Sequence, residues 1–222
     1  MKKHWYSLIK GVISLLLLFI ALFPIYWLVA MAIRPTDELK GHISVIPKTL
    51  TPEHFIQLFA QRGFGTSVAN SLQTASTSLV LSLAIGLCAA YIIARKRFRL
   101  KIKTPTTYWV LLVRVLPPVA FTIPLYIMFS KLGVLNSKVP VIMACVLINV
   151  PLIIWFMISF FQDLPVEVEE SAKIDGATEW QQFRRIVLPL VAPGIAAIAM
   201  LSFMYAWNEY TYSVIFVQSP VN

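Results

Sequence analysis

The sequence predicts an all-α fold, a polytopic bundle of transmembrane helices, and three observations carry that expectation. Of 222 residues, 58% are hydrophobic and only 13% charged, with a mean hydropathy of +0.75, outside the range of a soluble globular domain. Five apolar runs, at about residues 11–33, 70–94, 108–130, 139–161 and 191–217, are each long enough to cross the ~30 Å hydrocarbon core as a helix. The basic residues are shared unevenly between the connections. With the N-terminus inside, twelve fall on inner segments, six on outer ones, and Arg114 alone within a run.

The formal charge of +9 would suit nucleic acid in a soluble protein, but its placement argues otherwise. Lys2, Lys3 and Lys10 precede the first apolar run, and Arg95, Lys96, Arg97, Arg99, Lys101 and Lys103 follow the second. Basic clusters beside apolar spans are topology signals and contacts for anionic headgroups, so membrane lipid is the expected partner and nucleic acid is not. Cys88 and Cys145 both fall inside apolar runs and read as small packing residues. His4, His42 and His54 lie far apart, without metal-ligand spacing.

The first run, Gly11 to Ile33, carries no charge and reads as a spanning helix; a cleaved signal peptide is the competing reading, but such apolar cores run only ~7–15 residues. The mixed polar segment from Arg34 to Ala69 holds a helix start at Thr51-Pro52-Glu53, with a capping hydroxyl, a first-turn proline and an acid near the positive end of the dipole. Phe55, Ile56 and Phe59 follow on one face, which predicts an amphipathic helix at the outer surface. In the second run, Thr74, Ser78, Ser82, Gly86, Ala90 and Ala94 recur at every fourth position. That stripe of small residues is a seam where another helix backbone can approach closely.

The third run contains Arg114, Pro117-Pro118 and Pro124, and the fourth Pro140, Asn149 and Pro151. Interior prolines free backbone carbonyls that must meet protein or a water-filled cavity, so these spans either line a path or are simply kinked. Arg114, about six residues from the start of its run, is placed to snorkel to the inner headgroups. The fifth run contains Tyr205, Trp207, Asn208, Glu209 and Tyr210, a carboxylate and a carboxamide among aromatic rings. Rings beside hydrogen-bonding groups suit a sugar, whose C–H face stacks while its hydroxyls bond. The same residues suit a structural role, with Trp207 at an interface and Glu209 bonding a neighbouring helix.

Between the fourth and fifth runs lies Asp163 to Pro189, which holds six of the ten acids. Pro165 suits a first helical turn, and Val166 to Ile174 continue the helix to Asp175-Gly176, where a glycine can adopt φ > 0 and turn the chain. Thr178 with Gln181 has capping-box spacing, and Trp180, Phe183 and Val187 recur on one face of a second helix. Taken on its residues alone, this helix-turn-helix bracket is an amphipathic linker at the membrane interface. No G-x-x-x-x-G-K-[ST], G-x-S-x-G or H-E-x-x-H occurs, so no phosphate-cradling loop or hydrolytic centre is expected in this chain.

Glu170-Ser171-Ala172, three residues, Gly176, nine residues, Ile186, one residue and Leu188-Pro189 resembles the EAA loop of ABC-type importer permeases, with Ser171 where that family usually has Ala. The Thr51-Pro52-Glu53 phrase, the Asn70-Ser71-Leu72 that introduces the second span, and Trp207-Asn208-Glu209-Tyr210 resemble segments of sugar-type, maltose-system-like permeases. The resemblance implies one permease domain over residues 1–222, in the bacterial inner membrane with its N-terminus inside. It also implies that the bracket is a cytoplasmic coupling loop, in which Glu170, Ser171, Ala172, Ile174, Asp175, Gly176, Ile186, Leu188 and Pro189 contact an ATPase. Ala172 and Ile174 would form the seated face.

The same resemblance implies four partners: a second permease subunit, a cytoplasmic ATPase dimer that holds ATP and Mg, an extracytoplasmic solute-binding protein, and a small-molecule sugar as substrate. No cofactor is expected in this chain. Asn149, Tyr205, Trp207, Asn208 and Glu209 are the candidate pathway residues. Permeases of the family usually have a sixth span, and none follows Gln218 to Asn222, so a truncated sequence is expected. The alternative class, a self-contained secondary transporter or channel, would not need the bracket and is expected to show inverted repeats or deep titratable residues.

Overall fold

The computed structural model describes residues 2–41, 43–95, 108, 112 and 117–218. The basic run from Lys96 to Lys103, Arg114, and the first part of the expected third span apart from Tyr108 and Leu112 lie outside them. All regular structure among the described residues is helical. The chain divides into two compact units, Met1–Val68 and Ala69–Asn222.

In the first unit, helix α1 (Lys2–Ala32) includes an apolar stretch, Ile9–Ala32, long enough to cross a bilayer. The loop beyond it folds back on the end of α1. The buried Arg34 guanidinium donates to the carbonyls of Ser44 and Val45 and sits 5.7 Å from the Trp27 ring centroid. A short helix α2 (Thr36–Leu39) presents Glu38, whose carboxylate accepts from the Thr49 hydroxyl at 2.6 Å and from the amides of Thr49 and Lys48 at 3.0 and 3.3 Å. Helix α3 (Glu53–Gln61) starts where the sequence predicts it, with the Glu53 amide donating to the Thr51 hydroxyl at 3.2 Å.

Helix α4 (Phe64–Ala94) begins six residues before the expected second span, because the amides of Thr66 and Ser67 find the Gly63 carbonyl and start the helix there. The small-residue seam lies on its packed face: Ser78, Ser82, Gly86, Ala90 and Ala94 are all buried. Opposite it runs helix α6 (Lys138–Asp163), which follows α5 (Pro118–Lys131) through a loop capped by Ser137. Ser78 lies beside Cys145, and Gly86 lies against Ile153. The offset between the paired positions is the same in both cases, so the two helices run parallel in one register.

Two apolar clusters fill the second unit. One joins α4 and α6 to the second helix of the bracket through Tyr91, Ile153, Met157, Phe161, Phe183 and Val187; the other packs α5 and α6 on residues 212–216 through Phe129, Cys145, Tyr212 and Phe216. Lipid tails are as apolar as these side chains, so their stabilisation comes from close dispersion contact rather than escape from water.

In the second half of the bracket, helix α8 (Glu179–Leu190) contains one wide turn, Phe183–Val187, in which the Leu188 amide reaches back to the Phe183 carbonyl. Pro189 has no N–H and would clash with a carbonyl four residues back, and the wider turn relieves both. At Val191 the chain bends by 78° into α9 (Ala192–Trp207). The run expected to continue to Val217 is interrupted at Asn208–Tyr210 and resumes as the short α10 (Thr211–Phe216).

Candidate functional site

Helix α7 (Val166–Ile174) forms the first arm of the bracket, entered through Pro165 and with Glu167 and Glu169 in its first turn, where the helix dipole favours acids. It closes in a Schellman motif. The Ala177 amide bonds the Ala172 carbonyl at 3.0 Å and the Gly176 amide the Lys173 carbonyl at 3.1 Å, which requires the left-handed φ of +84° at Gly176. A Cβ on Gly176 would meet nothing within 4 Å, so the glycine answers to backbone conformation and not to crowding inside this chain. One residue later the Thr178 hydroxyl accepts from the Gln181 amide while the Gln181 side chain accepts from the Thr178 amide, a complete capping box. The buried Gln182 donates to the Ala177 carbonyl at 2.8 Å and ties the second arm to the turn. The turn itself is thus fixed by hydrogen bonds within the bracket.

The two faces of α7 differ sharply. Glu170, Ser171 and Asp175 are exposed, and Ile174 is 86% exposed, an unusual position for an isoleucine beside so many charges. Ala172 is only 7% exposed and faces inward with Glu169, so of the apolar pair expected on a seated face only Ile174 lies open. In the second arm Ile186 and Leu188 are half-buried and Pro189 is exposed.

Sequence reasoning missed the residues that hold the bracket. Glu169 is buried at the end of α4, where it forms an ion pair with Arg95 and accepts a 2.6 Å hydrogen bond from the Tyr91 hydroxyl. Arg95 also donates to the Leu164 carbonyl at 3.2 Å, and the Tyr91 ring packs on Phe183 and Phe161 at centroid distances of 4.9 and 5.6 Å. No local signal marked Glu169 off from its exposed neighbours, since adjacent helix residues about 100° apart can both be exposed, as Glu170 and Ser171 are.

The candidate pathway residues separate into two groups. Tyr205, Asn208 and Glu209, with Tyr210, line a cavity of about 430 Å³ at the break between α9 and α10. Asn149 is instead buried between α6 and α9, donating to the Ser202 carbonyl at 3.3 Å, and Trp207 stacks on Phe203. Glu209 is engaged locally: its carboxylate accepts from the Tyr212 and Ser213 amides at 2.6 and 3.1 Å and from the Ser213 hydroxyl at 3.0 Å, anchoring the first turn of α10. Asn208 donates to the Met204 carbonyl at 2.8 Å.

Long apolar helices, a small-residue seam on one of them and a polar corner between two of them define a multi-pass membrane protein. The chain belongs to the family of binding-protein-dependent transport system inner membrane components, whose model matches residues 82–221. It is 35% identical over 211 residues to the diacetylchitobiose uptake system permease protein DasC of Streptomyces coelicolor, covering 94% of this chain and 76% of the relative. It is 31% identical over 202 residues to the trehalose transport system permease protein SugB of Mycobacterium tuberculosis, covering 90% of this chain and 72% of that one. Its fold is similar to a solved chain of a bacterial ABC transporter involved in the import of the acidic polysaccharide alginate, with a TM-score of 0.83 and 20% identity over 99% of this chain and 76% of the other.

Proposed function

We propose that this chain forms half of the translocation pathway of a bacterial ABC importer for a carbohydrate. In this reading it works with a second permease subunit, an ATPase dimer that supplies ATP hydrolysis, and an extracytoplasmic binding protein that delivers the substrate. The observation that carries the coupling role is the bracket's asymmetry: a corner fixed by the Schellman motif and capping box holds Ile174 out at 86% exposure. A rigid corner with an apolar knob is suited to seat in a cleft of a moving partner and to transmit its displacement. Glu170 and Asp175, both exposed, flank that knob and would bond the partner's polar groups. In this reading the bracket and the N-terminus lie in the cytoplasm, and the Arg34 to Ala69 segment lies outside, in accord with the two-to-one inward bias of basic residues.

A carbohydrate is favoured by the cleft between α9 and α10, whose lining combines Tyr205 and Tyr210 with Asn208, and by the saccharide names of the relatives. Uptake of labelled di- and oligosaccharides by the complex reconstituted with its cognate binding protein tests the reading. ATP-dependent accumulation of one of them is expected. Transport without any co-purifying ATPase would overturn the importer assignment, and accumulation of a non-carbohydrate solute alone would overturn the substrate class.

A further inference from the structure

The coupling reading says what the bracket touches outside this chain; a separate question is what carries its displacement into the membrane. Three contacts meet in one buried cluster. Glu169 of α7 holds Arg95 through one carboxylate oxygen and the Tyr91 hydroxyl through the other, while Arg95 reaches past it to the Leu164 carbonyl at the base of α7. Glu169 and Arg95 are 4% and 8% exposed, and beneath them the Tyr91 ring rests on Phe183 of the second arm. Both arms of the bracket are therefore attached to the end of α4, by a buried ion pair and two hydrogen bonds on one side and by ring packing on the other.

We propose that Arg95, Glu169 and Tyr91 are positioning residues that lock the bracket to α4, so that displacement of the bracket is delivered to that span and not absorbed at the joint. Two directional hydrogen bonds beside a buried ion pair resist both sliding and rotation, whereas apolar packing of the same volume resists compression but allows slip. The partner ring of this joint, Phe183, sits in the wide turn of α8, so motion of either arm reaches the same point of α4. The inference rests on the coupling reading, which it extends inward from the exposed face to the buried one.

The test separates a lock from a fold stabiliser. Removing one charge alone strands the other in a buried site, so Glu169→Gln can fail through instability. Replacing both, in Arg95→Met/Glu169→Met, leaves no stranded charge and keeps the volume close, and Tyr91→Phe removes only the hydroxyl. The double variant is expected to reach the membrane, retain its ATPase and hydrolyse ATP, yet lose about tenfold in uptake per assembled complex, within the range of measured coupling effects. Tyr91→Phe is expected to show a smaller loss of the same kind. Uptake per complex equal to the parent in the double variant would overturn the proposal, as would loss of the double variant from the membrane, which would make the cluster a folding element only. A parallel Gly176→Asp arm distinguishes the two levels: full uptake there removes the coupling reading itself, whatever the double variant does.

Discussion

A methyl group placed on Gly86 would lie 2.6 Å from Cγ2 of Ile153 and 2.8 Å from its Cβ. Helix α4 therefore touches α6 through backbone at this point, and the space between the two helices is set by the absence of a side chain. Gly86→Val should force the helices apart at a cost of about 1–3 kcal/mol, the usual range for overpacking. A lower melting temperature of the detergent-solubilised protein is expected, with recovery in Gly86→Val/Ile153→Ala. Unchanged melting in the single variant would contradict the packing described here.

Gly176 presents the opposite case, since a side chain there meets open space and only the φ of +84° opposes it. Gly176→Asp should cost about 1–2 kcal/mol through the left-handed backbone, too little to remove the protein from the membrane. The expected result is near-normal abundance, weak retention of the ATPase and little uptake, measured in the same cells. Loss of the permease itself would mean that the glycine only ends a helix.

Glu209 divides the structural and substrate roles of the cleft. Glu209→Ala removes the carboxylate that anchors two amides of α10 and should lower thermal stability; hydrogen bonds to charged groups are worth about 1.5–3 kcal/mol each. Asn208→Ala should change stability less and the apparent KM for the transported sugar more. Equal stability of Glu209→Ala and the parent would show that α10 is held by packing alone.

Glu38 makes the loop that follows α1 sensitive to acid. The Thr49 hydroxyl, then the Lys48 and Thr49 amides and the nearby Arg34, hold its carboxyl below the ordinary carboxylate range against a smaller opposing effect of desolvation. A depressed folded-state pKa means that the loop's added stability is fully present above the unfolded value and is lost as pH falls through the folded one. Hydrogen exchange at the Thr49 amide should therefore accelerate only on acidification below the usual carboxylate range. Glu38→Gln should exchange fast at all pH values, and identical pH profiles for the two proteins would refute the linkage.

Orientation is open to direct labelling. With Cys88 and Cys145 replaced by serine, a cysteine at Lys48 should react with an impermeant thiol reagent in intact cells, and one at Lys173 only after permeabilisation. The reverse pattern would invert the topology.

The long apolar helices were legible because each needs only a run of apolar residues, and the bracket because its signals, Pro165, Gly176 and the Thr178–Gln181 pair, act within a few residues of each other. The seam of α4 was legible as a pattern, though not its partner, because spacing along one helix says nothing of which helix lies opposite. The joint of Arg95 with Glu169 was not legible, since it links residues far apart in the chain and depends on how two helices meet. The break at Asn208–Tyr210 was hidden by hydropathy: the residues beyond it are as apolar as those before, and only the local bonding of the Glu209 carboxylate ends one helix and starts the next.

The wide turn at Phe183–Val187 gives the bracket a phase as well as a shape. In an uninterrupted α-helix each four-residue step advances about 40° beyond a full rotation, so the buried Phe183, Val187 and Val191 would wind progressively off one line. One turn that holds an additional residue takes up that drift and keeps all three aimed at the same core. The distance in residues from Gly176 to Leu188-Pro189 is therefore an angular setting between the corner and the span that follows. Substitutions along it alter contacts one at a time, but inserting or deleting a single residue would rotate everything beyond by about 100° and turn the exposed face of the corner away from the axis on which the span is built.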